Sequence, residues 1–370
     1  MKIRGVNLGG WLVLEKWMTP SLFKGTDATD ETSWCARVGQ GEVGKRRLRE
    51  HWDTFITEED FLWIASRGLN AVRIPVGHWL FGPPYPYHGE YGHNRSPFVE
   101  GGHEVLDRAM DWAAKHGLKV LLDLHAAPGC QNGFDNGGIK DVVDWPKKNE
   151  YMTYSLEFLG RIAERYGDHE ALWGIEVLNE PRWSIWTNTL KSFTKEAYSR
   201  IRKYTDVAVV FSDGFRSPSK YNGFMQAPEY TNVLIDIHRY QCFTTSDLQL
   251  DLWGHLGKTE EWADEAAHME VNPGLYSIVG EWSLGLDLKV VSLWADGPYD
   301  NCLDGLDECM HDAALNAYGG AQLHAFEQHN GWFFWSYKTE TTPAWCFREC
   351  VNRGWLPAYY GEECNEKVQG

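Results

Sequence analysis

The chain has 370 residues and carries 35 Lys and Arg against 52 Asp and Glu, a formal net charge of −17. That balance argues against a nucleic-acid partner, because a phosphate backbone is met with a basic surface. No run approaches the ~18–20 uninterrupted apolar residues of a membrane-spanning helix, so the sequence reads as soluble, without a membrane span, and as one large α/β domain covering 1–370 with loop insertions.

Short apolar, β-rich runs ending in polar residues recur along the chain. In order they are KIRGVNLGG (2–10), NAVRIPV (70–76), LKVLLDLH (118–125), LWGIEVLNE (172–180), DVAVVFSDG (206–214), NVLIDIHRY (232–240), YSIVGEWS (276–283) and GWFFWSYK (331–338), eight candidate strands. Between the first two, GQGEVGK (39–45) matches a glycine-rich phosphate loop, but it follows no strand, places Glu42 where a phosphate would sit and lacks Ser or Thr after Lys45. It reads as a surface turn feeding a helix whose solvated face is GKRRLRE (44–50). Between the second and third strands, HEVLDRAMDWAAKHG (103–117) puts Val105, Ala109, Trp112 and Ala113 on one face, with Gly117 as the stop. Between the third and fourth, SLEFLGRIAERYGD (155–168) aligns Leu156, Leu159, Ile162, Ala163 and Tyr166. Near-continuously apolar strands separated by helices predict a parallel sheet, and eight such units predict a (β/α)8 barrel. A doubly wound sheet is the alternative, disfavoured because no glycine loop of the required kind follows the first strand.

Met1 leads directly into KIRGVNLGGWLVL, without the charged, apolar and cleavage segments of a leader, so the expected location is cytoplasmic as the sequence stands, or secreted if a leader has been removed. The eight Cys form no C-x-x-C and no zinc-knuckle spacing, which favours buried or free thiols over a disulfide-bonded secreted framework. A monomer is expected. The 19 Trp, 17 Tyr and 16 Phe suit either a large aromatic core or flat faces that stack on sugar rings.

In a parallel barrel the carboxyl ends of the strands open on one face, where function is placed. The polar residues expected there are Arg73 after the second strand, His125 after the third, Asn179 and Glu180 after the fourth, His238 and Tyr240 after the sixth, Glu281 after the seventh, and Trp335 with Lys338 after the eighth. Glutamates on strands four and seven face one another across the mouth, the arrangement glycoside hydrolysis needs. A carboxylate receiving donors such as Arg73 and Tyr240 would be held ionised, whereas a glutamate without such partners would stay protonated and serve as the acid. Two carboxyls complete that chemistry, so no metal and no organic cofactor is required.

IEVLNEP and VGEWS resemble the acid/base and nucleophile motifs of family 5 glycoside hydrolases. The likeness to the exo-β-1,3-glucanase (glucan 1,3-β-glucosidase) type runs through RGVNLGGWLVLEKWMTPSLF (4–23), HWDTFITEEDFLWIASRGLNAVRIPVGHW (51–79), DLHAAPGCQNGFDNGG (123–138), HRYQCF (238–243) and GWFFWSYKTE (331–340). It implies a retaining double displacement with Glu180 as acid/base and Glu281 as nucleophile. It further implies that Arg73 and Tyr240 position Glu281, that Asn179 meets the sugar 2-hydroxyl, and that Trp335 floors the site ahead of a cis peptide to Ser336. Glu15, Asp135 and Asn136 match positions that bind the non-reducing-end glucose, while Phe134 and Phe243 match a pair that clamps the next sugar. The substrate expected is a β-glucan or β-glucoside. Endo-acting or transglycosylating action, cleavage of glycolipid or steryl glucosides, and a non-enzymatic sugar-binding barrel are the alternatives. Residues 284–330, where relatives vary in walling the cleft, bear on that choice.

Overall fold

A computed structural model of the chain describes residues 2–82, 96–271, 276–286, 303 and 305–361. Eight parallel strands close into a barrel in sequence order: β1 (Ile3–Asn7), β2 (Ala71–Gly77), β3 (Lys119–Ala126), β4 (Leu172–Glu176), β5 (Ala208–Ser212), β6 (Val233–Arg239), β7 (Tyr276–Trp282) and β8 (Gly331–Phe334). Closure comes from β1, which pairs Gly5 with Ala71 on one side and Ile3 with Gly331 on the other. All eight runs read from the sequence become strands. Several are shorter than their apolar run, because pairing stops where the chain must splay at the mouth.

Helices cover the outside. Glu42–Thr54 buries Gly44, Leu48 and Trp52 on a four-residue repeat and leaves the basic residues between them in water or at the margin. The Gly102–Lys115 helix buries Val105, Ala109 and Ala113, and its chain reverses at Gly117 with φ 69°, a conformation only glycine adopts freely. The Asn149–Tyr166 helix buries the whole predicted stripe and begins six residues before the predicted start, since its first turn also buries Tyr151. Between β5 and β6 the crossover is a 3₁₀ turn, Pro218–Tyr221, in place of an α-helix. Among the described residues no helix is long and apolar enough to cross a membrane.

Inside the barrel, side chains alternate with the period of two that strands impose. The lowest layer is apolar: Ile3, Ala71, Leu121, Leu234, Ile278 and Phe333 pack with Ala208 and Val210. Phe333 lies over Gly5, where a Cβ would stand 2.6 Å from the ring and 2.6 Å from the Ala71 carbonyl oxygen. Moving up by two residues replaces Ala71, Leu121 and Leu234 with Arg73, Asp123 and Asp236, all buried. One further step reaches His125 and His238, so the site rests on an apolar plug. The described cysteines Cys35, Cys130, Cys242, Cys309, Cys346 and Cys350 are free thiols, and only Cys309 is exposed.

Gly5→Ala is expected to cost about 1–3 kcal/mol by overpacking the plug. A lower urea midpoint checks it; an unchanged midpoint would show that Phe333 has room to yield.

Candidate active site

Arg73 is placed in the middle of β2 and not after it, and this changes its part in the site. It has no exposed surface. Four guanidinium N–H groups have hydrogen-bond acceptors: Nε–H donates to Glu176 Oε2 at 2.8 Å, Nη1 to Asn7 Oδ1 at 2.9 Å and Glu281 Oε1 at 3.0 Å, and Nη2 to Asn179 Oδ1 at 2.8 Å, while Asp123 Oδ2 forms an ion pair 3.0 Å from Nη2. Although burial opposes the cation, Asp123, Glu176, Glu281 and Asp236 hold the guanidinium charged. Burial in turn pushes Asp123 up to about 7 and Glu176 well above the ordinary carboxyl range, against the pull of Arg73.

The two glutamates meet across the mouth. Glu281 lies within β7, and its Oε1 takes the Arg73 bond while its Oε2 accepts from the Tyr240 hydroxyl at 2.9 Å. Glu180 lies four residues beyond β4, where the chain turns through a positive φ of 44°. The left-handed residue at this turn is Glu180 itself, one before Pro181. Glu180 is not the unpartnered carboxyl expected of the acid. His238 Nδ1 lies 2.8 Å from Glu180 Oε1 and 3.4 Å from Glu281 Oε2, and Asn136 Nδ2 donates to Glu180 Oε2 at 3.1 Å. One oxygen of each glutamate and His238 Nδ1 all fall within 4.8 Å of one another. Glu176, Asp236 and His238 form a second such trio. Metal ligation at either would compete with Arg73, Tyr240 and the histidine protons that already occupy these lone pairs.

Electrostatics couple the trio. Burial pushes Glu281 up to about 8, opposed by His238, Arg73 and Tyr240. Burial also raises Glu180, but the His238 hydrogen bond and charge outweigh it and bring this carboxyl below its ordinary range. Burial disfavours the His238 cation, yet Glu281, Asp236 and Glu180 together raise it well above its usual value. At neutral pH these shifts leave a proton on Glu281 and one on His238 and none on Glu180; the three groups are in hydrogen-bond contact and titrate as one set, so the proton that an acid at Glu180 would donate is held by its two neighbours.

The remaining residues form walls and floor. His125 Nδ1 is 2.6 Å from Asp123 Oδ2, and its ring stacks on Trp335 with centroids 5.4 Å apart and planes 4° apart. Trp335 is followed by a cis peptide to Ser336 and passes over Gly9, where a Cβ would come within 2.8 Å of the indole. Tyr240 stacks on Trp345 at 5.3 Å, and Phe243, exposed, sets its edge against Tyr240. Phe134 meets Phe215 edge-on at 6.3 Å, and Phe215 meets Trp183 at 6.4 Å. Glu15 Oε2 accepts from Trp17 Nε1 at 2.9 Å, and burial with the nearby Asp135 charge raises its carboxyl well above the usual range. Asp135 is itself pushed up to about 6 by burial. Asn136 is held by Asn132, whose Nδ2 donates to its Oδ1 at 2.9 Å.

Lys338 does not reach the mouth. Its ammonium pairs with Asp60 at 3.0 Å, beside the Tyr337 hydroxyl on the same carboxylate. Sequence reasoning missed Asn7, Asp123, Glu176 and Asp236, which lie one layer below the mouth. The signal was present: DLH (123–125) and DIH (236–238) put a carboxylate two residues before an inward histidine, hence on the same barrel face. Of the 284–330 segment, residues 287–302 lie outside the described residues.

A closed parallel barrel with paired glutamates at its mouth is the architecture of barrel glycoside hydrolases, and the comparisons agree. The Cellulase (glycosyl hydrolase family 5) profile matches residues 37–338. Glucan 1,3-beta-glucosidase of Blumeria graminis is 38% identical, with 96% of this chain and 87% of that protein covered. The enzyme of the same description from Schwanniomyces occidentalis is 37% identical with the same coverage. Among solved structures, rutinosidase from Aspergillus niger superposes with a TM-score of 0.75 at 20% identity, over 96% of this chain and 97% of that one. Endoglucanase Cel5A from Thermotoga maritima gives 0.58 at 17% identity over 97% of each. The chain belongs to glycosyl hydrolase family 5 and is an O-glycosyl hydrolase.

Arg73→Lys keeps the charge but offers three donors where five acceptors wait. Leaving buried carboxyls unpaired is expected to cost roughly 3 kcal/mol and to depress turnover through a misplaced Glu281. Denaturant unfolding and kcat on one glucoside check both; a variant with parental values would remove the guanidinium from its central place.

Proposed function

We propose that the protein is a retaining β-glucosidase that releases glucose from the non-reducing end of β-1,3-glucans or related β-gluco-oligosaccharides, with Glu180 as acid/base and Glu281 as nucleophile. The observation that carries this reading is the closeness of the two carboxyls, with oxygens within 4.8 Å. Retaining sites hold their carboxyls about 5–5.5 Å apart, whereas inversion needs ~6.5–9.5 Å to admit a water between acid and base. The relatives named glucan 1,3-beta-glucosidase supply the substrate class.

Arg73 and Tyr240 each donate to one oxygen of Glu281, which favours the attacking carboxylate and opposes the burial that pushes this group up to about 8. His238 Nδ1, 2.8 Å from Glu180, offers a direct path for the proton that Glu180 must deliver. In the first step Glu281 bonds to the anomeric carbon as Glu180 protonates the leaving oxygen. In the second, Glu180 takes a proton from water as that water displaces Glu281, freeing glucose.

Among the buried polar atoms of the described residues that have no hydrogen-bond partner are Asn179 Nδ2, His125 Nε2 and Glu15 Oε1, all on residues assigned to the site. Each such atom costs about 1–3 kcal/mol unless satisfied, and sugar hydroxyls satisfy all three. Arg73 holds Asn179 by Oδ1, so its Nδ2–H is the group left to donate, to the 2-hydroxyl. His125 is kept neutral by burial and by Arg73, and with Nδ1 turned to Asp123 it presents Nε2 as an acceptor. Glu15, Asp135 and Asn136 are assigned to the terminal glucose, Trp335 to the floor beneath it, and Phe134 and Phe243 to the next sugar.

Glu281→Ala should abolish hydrolysis, and added azide should then yield α-glucosyl azide; turnover at the parental rate would remove the nucleophile role. Glu180→Ala should spare aryl glucosides with good leaving groups far more than oligosaccharides, since only the latter need the proton. The pH dependence of kcat/KM should be bell-shaped. At low pH both carboxyls are protonated and no nucleophile exists; above about 8 the pair loses its last proton and no acid remains. A profile still climbing beyond pH 9 contradicts the shared-proton account. Laminari-oligosaccharides that yield intermediate fragments and never glucose would overturn the exo reading.

A further inference from the structure

Outside the mouth, the loops after β3 and β4 enclose a surface groove of about 440 Å³ lined by Asp141, Lys147, Arg182, Ser184, Trp186 and Thr189. Trp186 is the most exposed large apolar side chain among those described, with 80% of its surface open, although an indole normally seeks cover. Ile185, buried, and Val143, half-buried, give the groove apolar surface, beside residues of both charge signs and hydroxyls. One flat ring beside short-range donors and acceptors of both kinds fits a hydroxyl-bearing sugar ring, which offers a C–H face and a polar edge. At Thr189 it runs into a second groove of about 470 Å³, between the Asn149–Tyr166 helix and the Thr187–Ile201 helix. Together they make a track longer than any single sugar.

The track's walls are those of the catalytic mouth. Arg182 stands two residues after Glu180; its backbone N–H donates to Gln131 O at 3.1 Å, and its guanidinium reaches Asn132 O at 3.2 Å. Asn132 holds Asn136, and Asn136 holds Glu180. Asp141 closes the other wall through its N–H to Gly133 O at 2.9 Å. Arg182 also lies over the Trp183 ring at 4.9 Å, and Trp183 continues through Phe215 to Phe134. Edge-on aromatic contacts thus run from Phe134 through Phe215 to Trp183, and Arg182, which lines the groove, lies over the last of them.

We propose that this groove is a second carbohydrate-binding site, which holds a segment of β-glucan chain remote from the bond being cut, with Trp186 as its stacking platform. It rests on the β-glucan reading of the active site and extends it from the chain end to the polymer. Its purpose is retention: a polymer held at Trp186 keeps its end near Glu180 between turnovers, an advantage unavailable to a disaccharide.

The test uses the full chain with Trp186→Ala and Trp186→Phe, assayed on laminarin, laminaribiose and p-nitrophenyl β-glucoside. The Ala variant is expected to lose roughly five- to tenfold in kcat/KM on laminarin, the worth of one aromatic stacking contact, through KM. It should keep parental values on the two small substrates, and the Phe variant should recover most of the loss. Equal kcat/KM for parent and Trp186→Ala on laminarin, or equal losses on all three substrates, overturns the proposal. Binding is read separately as retardation of the inactive Glu281→Ala variant in laminarin-containing gels. Retardation abolished by adding Trp186→Ala supports the groove even if the parent hydrolyses no laminarin, which would defeat only the catalytic reading. Retardation equally strong in Glu281→Ala with and without Trp186→Ala, or absent from the start, defeats the groove.

Discussion

Four hydrogen bonds and an ion pair from one buried arginine hold the barrel mouth together. Arg73 bonds Asn7 on β1, Asp123 on β3, Glu176 on β4, Asn179 beyond β4 and Glu281 on β7, so a single planar cation fixes the spacing of half the ring. Its own burial would be prohibitive alone, since removing an ion from water costs several kcal/mol. Four carboxyls within reach offset that cost, and they exceed what one guanidinium neutralises. The excess is handled by protons: Asp123 and Glu176 are pushed upward by burial, and His238 is drawn toward its charged form.

From this layer the chemistry above is oriented. Asp123 turns His125 so that Nε2 faces the cavity, and Asp236 lies 3.3 Å from His238 Nε2, leaving Nδ1 for the glutamates. Asn7 is equally constrained, because its Nδ2 donates to Gly280 O at 2.8 Å while its Oδ1 accepts from Arg73. His125 and His238 are thus each oriented by the carboxylate two residues earlier on their own strand. Such support is what keeps donors and acceptors aimed without reorganisation during reaction.

The barrel was legible because its strands are nearly continuous apolar runs and its helices carry clean stripes, as at Leu156, Leu159, Ile162, Ala163 and Tyr166. The helix between β5 and β6 was not resolvable by the same rule, since residues 213–232 contain no periodic stripe and fold as turns. Polar residues near strand ends were also legible, and the structure gathers Arg73, His125, Asn179, Glu180, His238, Tyr240, Glu281 and Trp335 into one network. Their heights were not. A polar residue inside an apolar run marks either a rim or a buried layer, and Arg73 belongs to the second. Lys338 looked like a rim residue for the same reason, yet it serves Asp60. Strand pairing decides between these, and pairing is a long-range property.

Backbone proximity accounts for motif residues that carry no chemistry. In VGEWS, Gly280 precedes the glutamate because its N–H donates to Asp236 Oδ1 at 2.6 Å, and a Cβ there would stand 1.9 Å from the other carboxylate oxygen. In GVNLGG, Gly9 lies flat beneath the Trp335 indole, and its N–H takes the Ser336 hydroxyl oxygen at 3.0 Å. Both glycines let a large or charged group approach main chain more closely than any side chain permits. The glutamate of one motif and the tryptophan floor of another are therefore placed by neighbours chosen for having no side chain, and any substitution there acts on the site through displacement of Asp236 or Trp335.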